Sequence, residues 1–171
     1  FLKEGLALKD LLASSKIPFI INDRIDIALA LDADGVHLGQ SDIPLEIARK
    51  ILGPEKIIGW SIDSPGQILS DEAAVADYLA IGPIFQTATK TDAAMPWGID
   101  GMRKARSMTD KPLVAIGGIN ASNLTQVVAA GADSVAVVSA IVGAEDVESA
   151  TRKLLNTVIN SRRPVGEKIG L

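Results

Sequence analysis

Cysteine is absent from the 171 residues of this chain, and histidine occurs once, at His37. Without cysteine, the chain forms no disulfide, no thiolate metal site and no cysteine nucleophile, which is compatible with a reducing, cytoplasmic compartment. A metal site built from several histidines is excluded as well. His37 lies inside an apolar run at 35–39. We therefore expect it to be a hydrogen-bonded strand residue and not a general base.

Positive charge is also scarce, since 17 Lys and Arg stand against 21 Asp and Glu, for a net charge of −4. Such a balance gives no general attraction to nucleic acid or to an anionic membrane, so an anionic ligand must be held by local groups. No apolar run reaches the roughly 18 residues of a membrane span. The glycine patterns of dinucleotide-binding folds and P-loops are missing, and so is a Gly-x-Ser-x-Gly nucleophile elbow.

Six short apolar runs, rich in β-branched residues, alternate with segments of helical spacing, which predicts a parallel α/β sheet. The runs are apolar almost throughout, as expected for strands covered on both faces. The predicted strands are 18–23, 35–39, 57–62, 77–85, 112–119 and 134–141, and the clearest predicted helices are 45–52, 99–107, 123–130 and 147–159.

Six β/α units fit two architectures, an open doubly wound sheet or a TIM (β/α)8 barrel without its first strands, and periodicity does not separate them. The chain starts at Phe1 without a methionine, close to a helical segment, which favours the barrel. We predict a β/α-barrel domain over 1–160. A tail or linker is predicted over 161–171, where helical periodicity is lost.

An Ala-Asp pair recurs just before three of the predicted strands, at Asp34, Asp77 and Asp133. Aspartate side chains commonly accept hydrogen bonds from backbone amides in turns. We therefore expect each aspartate to satisfy the amides of the turn that leads into its strand.

Acidic and amide side chains follow the first two predicted strands, at the end where parallel α/β proteins bind ligands. Asn22 and Asp23 end the first run, and Asp42 follows the second. Two carboxylates at neighbouring strand ends suit Mg²⁺, which prefers carboxylate, water and phosphate oxygens. The alternative is that both aspartates are helix N-caps or first-turn acids. An amide such as Asn22 at the end of an apolar strand also needs a partner, which a ligand can supply.

Phosphate-binding features follow the last three predicted strands. The loop at 86–96 has no apolar face and exceeds the usual length of a βα loop, so it is either a lid that brings threonine hydroxyls and Lys90 to an anion or a solvated surface loop. Gly118 closes the fifth run and Ser139 lies near the end of the sixth. Glycine lets backbone N–H groups approach an anion, and phosphate commonly binds after the last strands of such barrels. The sequence thus predicts phosphate on this side and metal on the side of Asp23 and Asp42.

Several long motifs, in a fixed order over about residues 5–155, resemble the thiamine-phosphate synthase family. The blocks that carry the resemblance are Ile21-Asn22-Asp23-Arg24, Gly35-Val36-His37-Leu38-Gly39-Gln40-Ser41-Asp42, Gly59-Trp60-Ser61, Gly82-Pro83-Ile84-Phe85-Gln86-Thr87-Ala88-Thr89-Lys90, Ala115-Ile116-Gly117-Gly118-Ile119 and Val137-Val138-Ser139-Ala140-Ile141.

The resemblance implies a TIM barrel and a transferase of thiamine biosynthesis. Its reaction joins hydroxymethylpyrimidine diphosphate to thiazole phosphate and gives thiamine phosphate and pyrophosphate. It implies Mg²⁺ on Asp23 and Asp42, with Lys90 and Ser61 as catalytic residues. Implied contacts to the pyrimidine substrate are Asn22, Ser61 and Lys90, and implied contacts to the thiazole phosphate are Thr87, Thr89, Gly118, Val138, Ser139 and Ile141.

The chain departs from the family pattern in three places. A basic Gln-Leu-Arg-Glu-Lys-like block would precede Phe1, Gln86 stands where proline is common, and Trp60 replaces a small aliphatic residue, as in fungal members fused to a thiazole kinase. No kinase sequence is present here.

Two alternative functions stay open, a thiazole tautomerase of the same superfamily and a catalytically inert phosphate-binding barrel. The expected partners are small phosphorylated molecules, with a homo-oligomer left open.

Overall fold

A computed structural model describes residues 1–87 and 95–162. The chain forms two compact units, 1–80 and 81–171. In chain order the elements are α1 (Leu2–Leu12), β1 (Ile20–Asn22), α2 (Ile25–Ala30), β2 (Gly35–Leu38), α3 (Leu45–Leu52), β3 (Ile57–Ile62), a 3-10 helix (Pro65–Leu69), α4 (Asp71–Val75), β4 (Tyr78–Ile81), α5 (Gly98–Met108), β5 (Leu113–Ile116), α6 (Leu124–Ala129), β6 (Ser134–Ala136), α7 (Ser139–Val142) and α8 (Val147–Arg162).

The strands follow one another in the sheet in the same order as in the chain, from β1 to β6. In the first unit β1, β2 and β3 are parallel neighbours, with Asn22 opposite His37 and His37 opposite Gly59. In the second unit β5 and β6 are parallel neighbours. A doubly wound sheet reverses its strand order at a switch point, so the sequential order rules out that alternative. The predicted α/β fold with parallel strands is confirmed.

Each unit has an apolar core between its strands and helices. In the first unit, Leu38 and Ile58 are fully buried on neighbouring strands, and α3 turns Leu45 and Ala48 inward while Ile47 stays exposed. This is the spacing of a helix with one buried face. The core of the second unit contains Met102, Ala105, Leu113, Ala115, Leu124 and Val127.

The prediction that all strands are covered on both faces is wrong for β6. Ser134 is exposed, while Val135 and Ala136 are half-buried. β6 ends the strand order, so it has a neighbouring strand on one side only.

Five of the six predicted strands are longer than those observed, and local chemistry ends the last three of them early. β4 stops at Ile81, before Gly82 and Pro83, and proline has no N–H for a sheet ladder. β5 stops at Ile116, before Gly117 and Gly118, whose φ angles are +95° and +67°. The end of the sixth run forms the short helix α7 instead of a strand.

The boundary predicted after residue 160 falls inside α8, which continues to Arg162. Residues 163–171 of the predicted tail lie outside the described residues. The short helices α2 and α4 and the 3-10 helix were not predicted, because segments of five or six residues show little of the helical period.

The three Ala-Asp pairs link neighbouring strands. Each aspartate Oδ2 accepts from the N–H of a residue that lies within one position of the start of the adjacent strand, and the aspartate's own N–H donates back to the carbonyl of that residue. The side-chain bonds are Phe19 to Asp34 at 2.7 Å, Ile58 to Asp77 at 2.7 Å and Leu113 to Asp133 at 2.8 Å. The expectation that each aspartate satisfies the amides of its own turn is therefore wrong, because the N–H that it accepts lies in or next to the neighbouring strand.

Candidate active site

His37 joins two hydroxyl groups within the first unit. Its Nε2 lies 2.9 Å from Ser61 Oγ and its Nδ1 lies 3.0 Å from Tyr78 Oη. The His37 and Tyr78 rings are stacked, with centroids 5.5 Å apart. The expectation of a hydrogen-bonded strand histidine is confirmed.

Burial keeps this trio uncharged. It lowers the pKa of His37 below 6.5, against an opposing contribution from the Asp42 carboxylate, and it raises the pKa of Tyr78. At neutral pH the site therefore contains a neutral imidazole between a phenol and an alcohol.

Gly59 gives the two rings their space. It lies opposite His37 in the parallel register, and a Cβ at this position would collide with the Tyr78 ring and lie 2.5 Å from His37 Nδ1. The glycine in the Gly-Trp-Ser block is thus needed for close packing of side chains across β3.

Asn22 and Asp23 lie at the carboxyl end of β1, where both are exposed. Asp23 has a φ of +63°, and its backbone N–H donates to the carbonyl of His37 at 2.8 Å. The helix that follows has Arg24 as its N-cap residue and Asp26 as its first-turn acid. The helix-cap alternative for Asp23 is therefore wrong.

Asp42 closes the loop that follows β2. Its Oδ2 accepts from the N–H of Gly39 at 2.6 Å, and its side chain is half-buried. Pro44 is the N-cap residue of α3 and Glu46 is its first-turn acid, so the helix-cap alternative is wrong here too.

The donor set at these two strand ends fits Mg²⁺. Over the described ranges, no group of three or more His, Cys, Asp or Glu residues is placed to hold a metal. Mg²⁺ commonly takes only one or two protein carboxylates and completes its shell with water and substrate phosphate. Asp23 and Asp42 match that need, because both follow the carboxyl ends of neighbouring parallel strands.

Two glutamines that sequence reasoning missed hold the backbone beside Ser61. Gln40 Nε2 donates to the Ser61 carbonyl at 2.6 Å, and Gln67 Nε2 donates to Gln40 Oε1 at 2.7 Å. Gln67 Oε1 in turn accepts from the N–H groups of Asp63 and Ser64. Gln40 belongs to a block that resembles the family, but a role for it required contacts between distant segments.

A pocket of about 470 Å³ lies at the carboxyl ends of the strands in the second unit. It brings together Thr87, Gly118 and Ser139, all three predicted as phosphate contacts. The other lining residues are Gln86, Ile119, Asn120 and Ala140.

The loop beside Gly118 is held by asparagines to which the sequence assigned no role at the pocket. Asn123 Nδ2 donates to the Gly118 carbonyl at 2.9 Å, and Asn123 Oδ1 accepts from the N–H of Asn120. Asn120 Oδ1 accepts from Ser122. The part of the pocket wall that Gly118 and Asn120 form is therefore held by side-chain bonds within one short loop.

Other predicted contacts lie elsewhere or outside the described residues. Val138 is the N-cap residue of α7 and is 53% exposed, and Ile141 is half-buried in that helix. Neither of them lines the pocket. Thr89 and Lys90, with most of the predicted lid, lie in 88–94, outside the described residues.

A larger cavity of about 730 Å³ lies at the opposite end of the strands in the same unit. Its charged groups include Arg106 and Asp133, which pair with each other at 2.8 Å. It lacks the strand-end hydroxyls of the smaller pocket.

Among the helices in the described ranges, none has the length and apolar content needed to cross a bilayer.

Residues 1–141 match the family model described as thiamine monophosphate synthase. The chain belongs to the thiamine monophosphate synthase family. The thiamine-phosphate synthase of Albidiferax ferrireducens is 54% identical over 146 residues, covering 85% of this chain and 67% of the relative. That of Vibrio campbellii is 50% identical over 155 residues, covering 91% of this chain and 76% of the relative.

A solved structure of the same family has the same fold. The thiamine phosphate pyrophosphorylase from Pyrococcus furiosus superposes with a TM-score of 0.87 at 41% identity, covering 95% of this chain and 77% of that one. A 3-hexulose-6-phosphate synthase from Salmonella typhimurium superposes with a TM-score of 0.72 at 22% identity, which reflects a shared fold alone. These matches confirm the family resemblance that six sequence blocks of this thiamine monophosphate synthase family member had indicated.

Proposed function

We propose that this protein is a thiamine-phosphate synthase, a transferase that joins hydroxymethylpyrimidine diphosphate to thiazole phosphate. The observation that carries the proposal is identity of about half of all residues to enzymes of that name over most of the chain. The strand-end pocket of the second unit adds physical support, since its hydroxyls and glycine backbone suit a phosphate group.

The pocket of the second unit is the proposed site for thiazole phosphate. Thr87 and Ser139 each supply a hydroxyl that can donate to a phosphate oxygen, and Gly118 lets the backbone approach the anion closely. Thr89, Val138 and Ile141 are proposed as further contacts because the same motifs contain them.

The strand ends of the first unit are the proposed site for the pyrimidine diphosphate. Asn22 and Ser61 supply an amide and a hydroxyl, and Lys90 is proposed to add a positive charge from the loop after β4. Asp23 and Asp42 would hold Mg²⁺, which when bound neutralises charge on the diphosphate leaving group. Ser61 and Lys90 are the proposed catalytic residues.

The proposed chemistry is a substitution at the methylene carbon of the pyrimidine. The carbon–oxygen bond breaks, its electron pair leaves with pyrophosphate, and the lone pair of the thiazole nitrogen forms the new carbon–nitrogen bond. Such a step needs charge neutralisation and accurate placement of the two substrates more than a protein nucleophile. A chain without cysteine, whose one histidine is hydrogen-bonded within a strand, suits that need.

We extend the proposal to the architecture, and infer that the six strands belong to a TIM (β/α)8 barrel. Their sequential order and the 0.87 TM-score to the P. furiosus pyrophosphorylase support this. A cytoplasmic location also agrees with a biosynthetic enzyme that contains no cysteine.

The proposed activity is tested by supplying both phosphorylated substrates with Mg²⁺ and measuring pyrophosphate and thiamine phosphate. Equal molar amounts of the two products are expected. Release of an isomerised thiazole phosphate without pyrophosphate would instead assign the protein as a tautomerase. Tight binding of thiazole phosphate without any turnover would assign it as an inert phosphate-binding barrel.

A further inference from the structure

Ser61 is held on both its backbone and its side chain, but by different partners. Gln40 fixes its carbonyl at 2.6 Å, and Gln67 holds Gln40 in place. With the backbone held, rotation about the Cα–Cβ bond is what still moves the Oγ atom of this short side chain. The contact with His37 Nε2, 2.9 Å from Ser61 Oγ, restricts that rotation.

The direction of the hydrogen bonds follows from the acidity of the three groups. A neutral imidazole has one N–H and one basic nitrogen, so it can accept from only one of its two hydroxyl neighbours. A phenol, with a pKa near 10, is a far stronger donor than an aliphatic alcohol. This difference favours the tautomer in which the Tyr78 hydroxyl donates to Nδ1 and the ring proton lies on Nε2, where it is donated to Ser61 Oγ.

This arrangement decides what Ser61 offers to a ligand. In this tautomer Ser61 Oγ accepts from His37, so its own hydrogen is left to point elsewhere. The opposite tautomer would use that hydrogen on His37 and leave only oxygen lone pairs for the ligand.

We propose that His37, oriented by Tyr78, is a positioning residue that makes the Ser61 hydroxyl a hydrogen-bond donor toward an acceptor atom of the pyrimidine diphosphate. The inference rests on the proposed function, in that Ser61 is taken to contact this substrate. The closest chemical fit is a ring nitrogen or a diphosphate oxygen, because each of them only accepts hydrogen bonds. The proposal gives His37 no direct contact with the reacting atoms.

The tautomer can be measured without any enzymatic activity. Because His37 is the only histidine, a long-range ¹H–¹⁵N correlation spectrum of the ¹⁵N-histidine-labelled protein contains one imidazole. The expected spectrum at neutral pH shows a protonated Nε2 and an unprotonated Nδ1. In Tyr78→Phe, which keeps the ring and removes the hydroxyl, the Nδ1-protonated form should increase. A protonated Nδ1 in the unaltered protein would overturn the proposal, whether or not the protein is a synthase.

Kinetics test the link to substrate. His37→Gln places an amide nitrogen near the former Nε2, whereas His37→Asn places one near the former Nδ1. We expect His37→Asn to lower kcat/KM for the pyrimidine diphosphate by about 10- to 100-fold, the range for one lost bond to a charged or polar partner, and His37→Gln to recover most of it. The KM for thiazole phosphate should stay unchanged in both variants. Equal losses of kcat/KM in the two variants would show that His37 only fills space in the packing, and would overturn the proposal.

A double-mutant cycle with Ser61→Ala completes the test. If His37 acts through Ser61, then His37→Asn adds no further loss once the hydroxyl has been removed. Additive losses would show that His37 acts independently of Ser61 and would contradict the proposal. Thermal unfolding of each variant checks that the fold is retained. An unaltered protein without synthase activity, but with the expected tautomer, would reject the proposed function and leave the hydrogen-bond direction in place.

Discussion

Gly118 lies directly against the backbone of Gln86, so that a Cβ at position 118 would be 2.6 Å from the Gln86 carbonyl oxygen. Its φ of +67° is also a conformation that residues with a side chain rarely adopt. Both residues line the pocket proposed for thiazole phosphate. Packing against Gln86 and the proposed phosphate binding therefore both require a residue without a side chain at this position.

Gly118→Ala should destabilise the protein and weaken binding of thiazole phosphate. We expect about 1–2 kcal/mol from the left-handed backbone and a further 1–3 kcal/mol from the collision. Gly98→Ala is the matched control, because Gly98 has a φ of +64°, close to that of Gly118, and no heavy atom within 4 Å of the added Cβ. Urea denaturation and isothermal titration with thiazole phosphate measure the two effects. Equal destabilisation by both variants would show that the contact with Gln86 is not limiting.

Asp23→Asn and Asp42→Asn should each raise the Mg²⁺ concentration needed for half-maximal turnover by about 10-fold or more, because a neutral amide is a weaker ligand for a hard cation. Asp63→Asn, which removes an exposed carboxylate after β3, is the control and should leave that concentration unchanged. Initial rates over a Mg²⁺ titration measure the effect. Unaltered Mg²⁺ dependence in both variants would remove these residues from the proposed metal site.

Asp133→Ala should unfold at lower denaturant concentration than the unaltered protein. It leaves the N–H of the fully buried Leu113 without its acceptor and removes the ion pair of Arg106, a loss of about 1–3 kcal/mol. The exposed neighbour Asp110 offers a control, since Asp110→Ala should change the unfolding free energy by less than about 0.5 kcal/mol. A similar result for both variants would contradict the role of the Ala-Asp pair as a link between strands.

The stability of the protein should depend on pH through His37. Burial lowers the pKa of this imidazole in the folded state below 6.5, so below pH 6.5 the unfolded chain binds more protons than the folded one. The contribution of the neutral, buried imidazole is therefore fully present above pH 6.5 and is lost as the pH falls through the lower, folded-state pKa. Denaturation at a series of pH values, compared with His37→Gln, measures it. Identical pH profiles would exclude His37 as the titrating group.

The sequence alone was sufficient to predict the parallel α/β class, the family and the order of the β/α units along the chain. Buried parallel strands need continuous apolar runs, and helices with one buried face need a period of 3.6, so both leave a local imprint. For α3 the predicted bounds match the observed ones, because Pro44 and Gly53 flank an apolar stripe. Strand ends were less predictable, since apolar residues continue past Ile81 and Ala136 while the backbone already turns.

Only the tertiary structure decided which side chains meet. The sequence left Asp42 as either a helix cap or a metal ligand, and its bond to the N–H of Gly39 places it in the loop before α3, outside that helix. Ser61 and Tyr78 lie 24 and 41 residues after His37 in the chain. No local pattern predicts that the His37 ring joins their two hydroxyl groups. The register of the parallel strands and a glycine without a Cβ bring them together, because hydrogen bonds between distant side chains depend on packing across the sheet and not on spacing in the sequence.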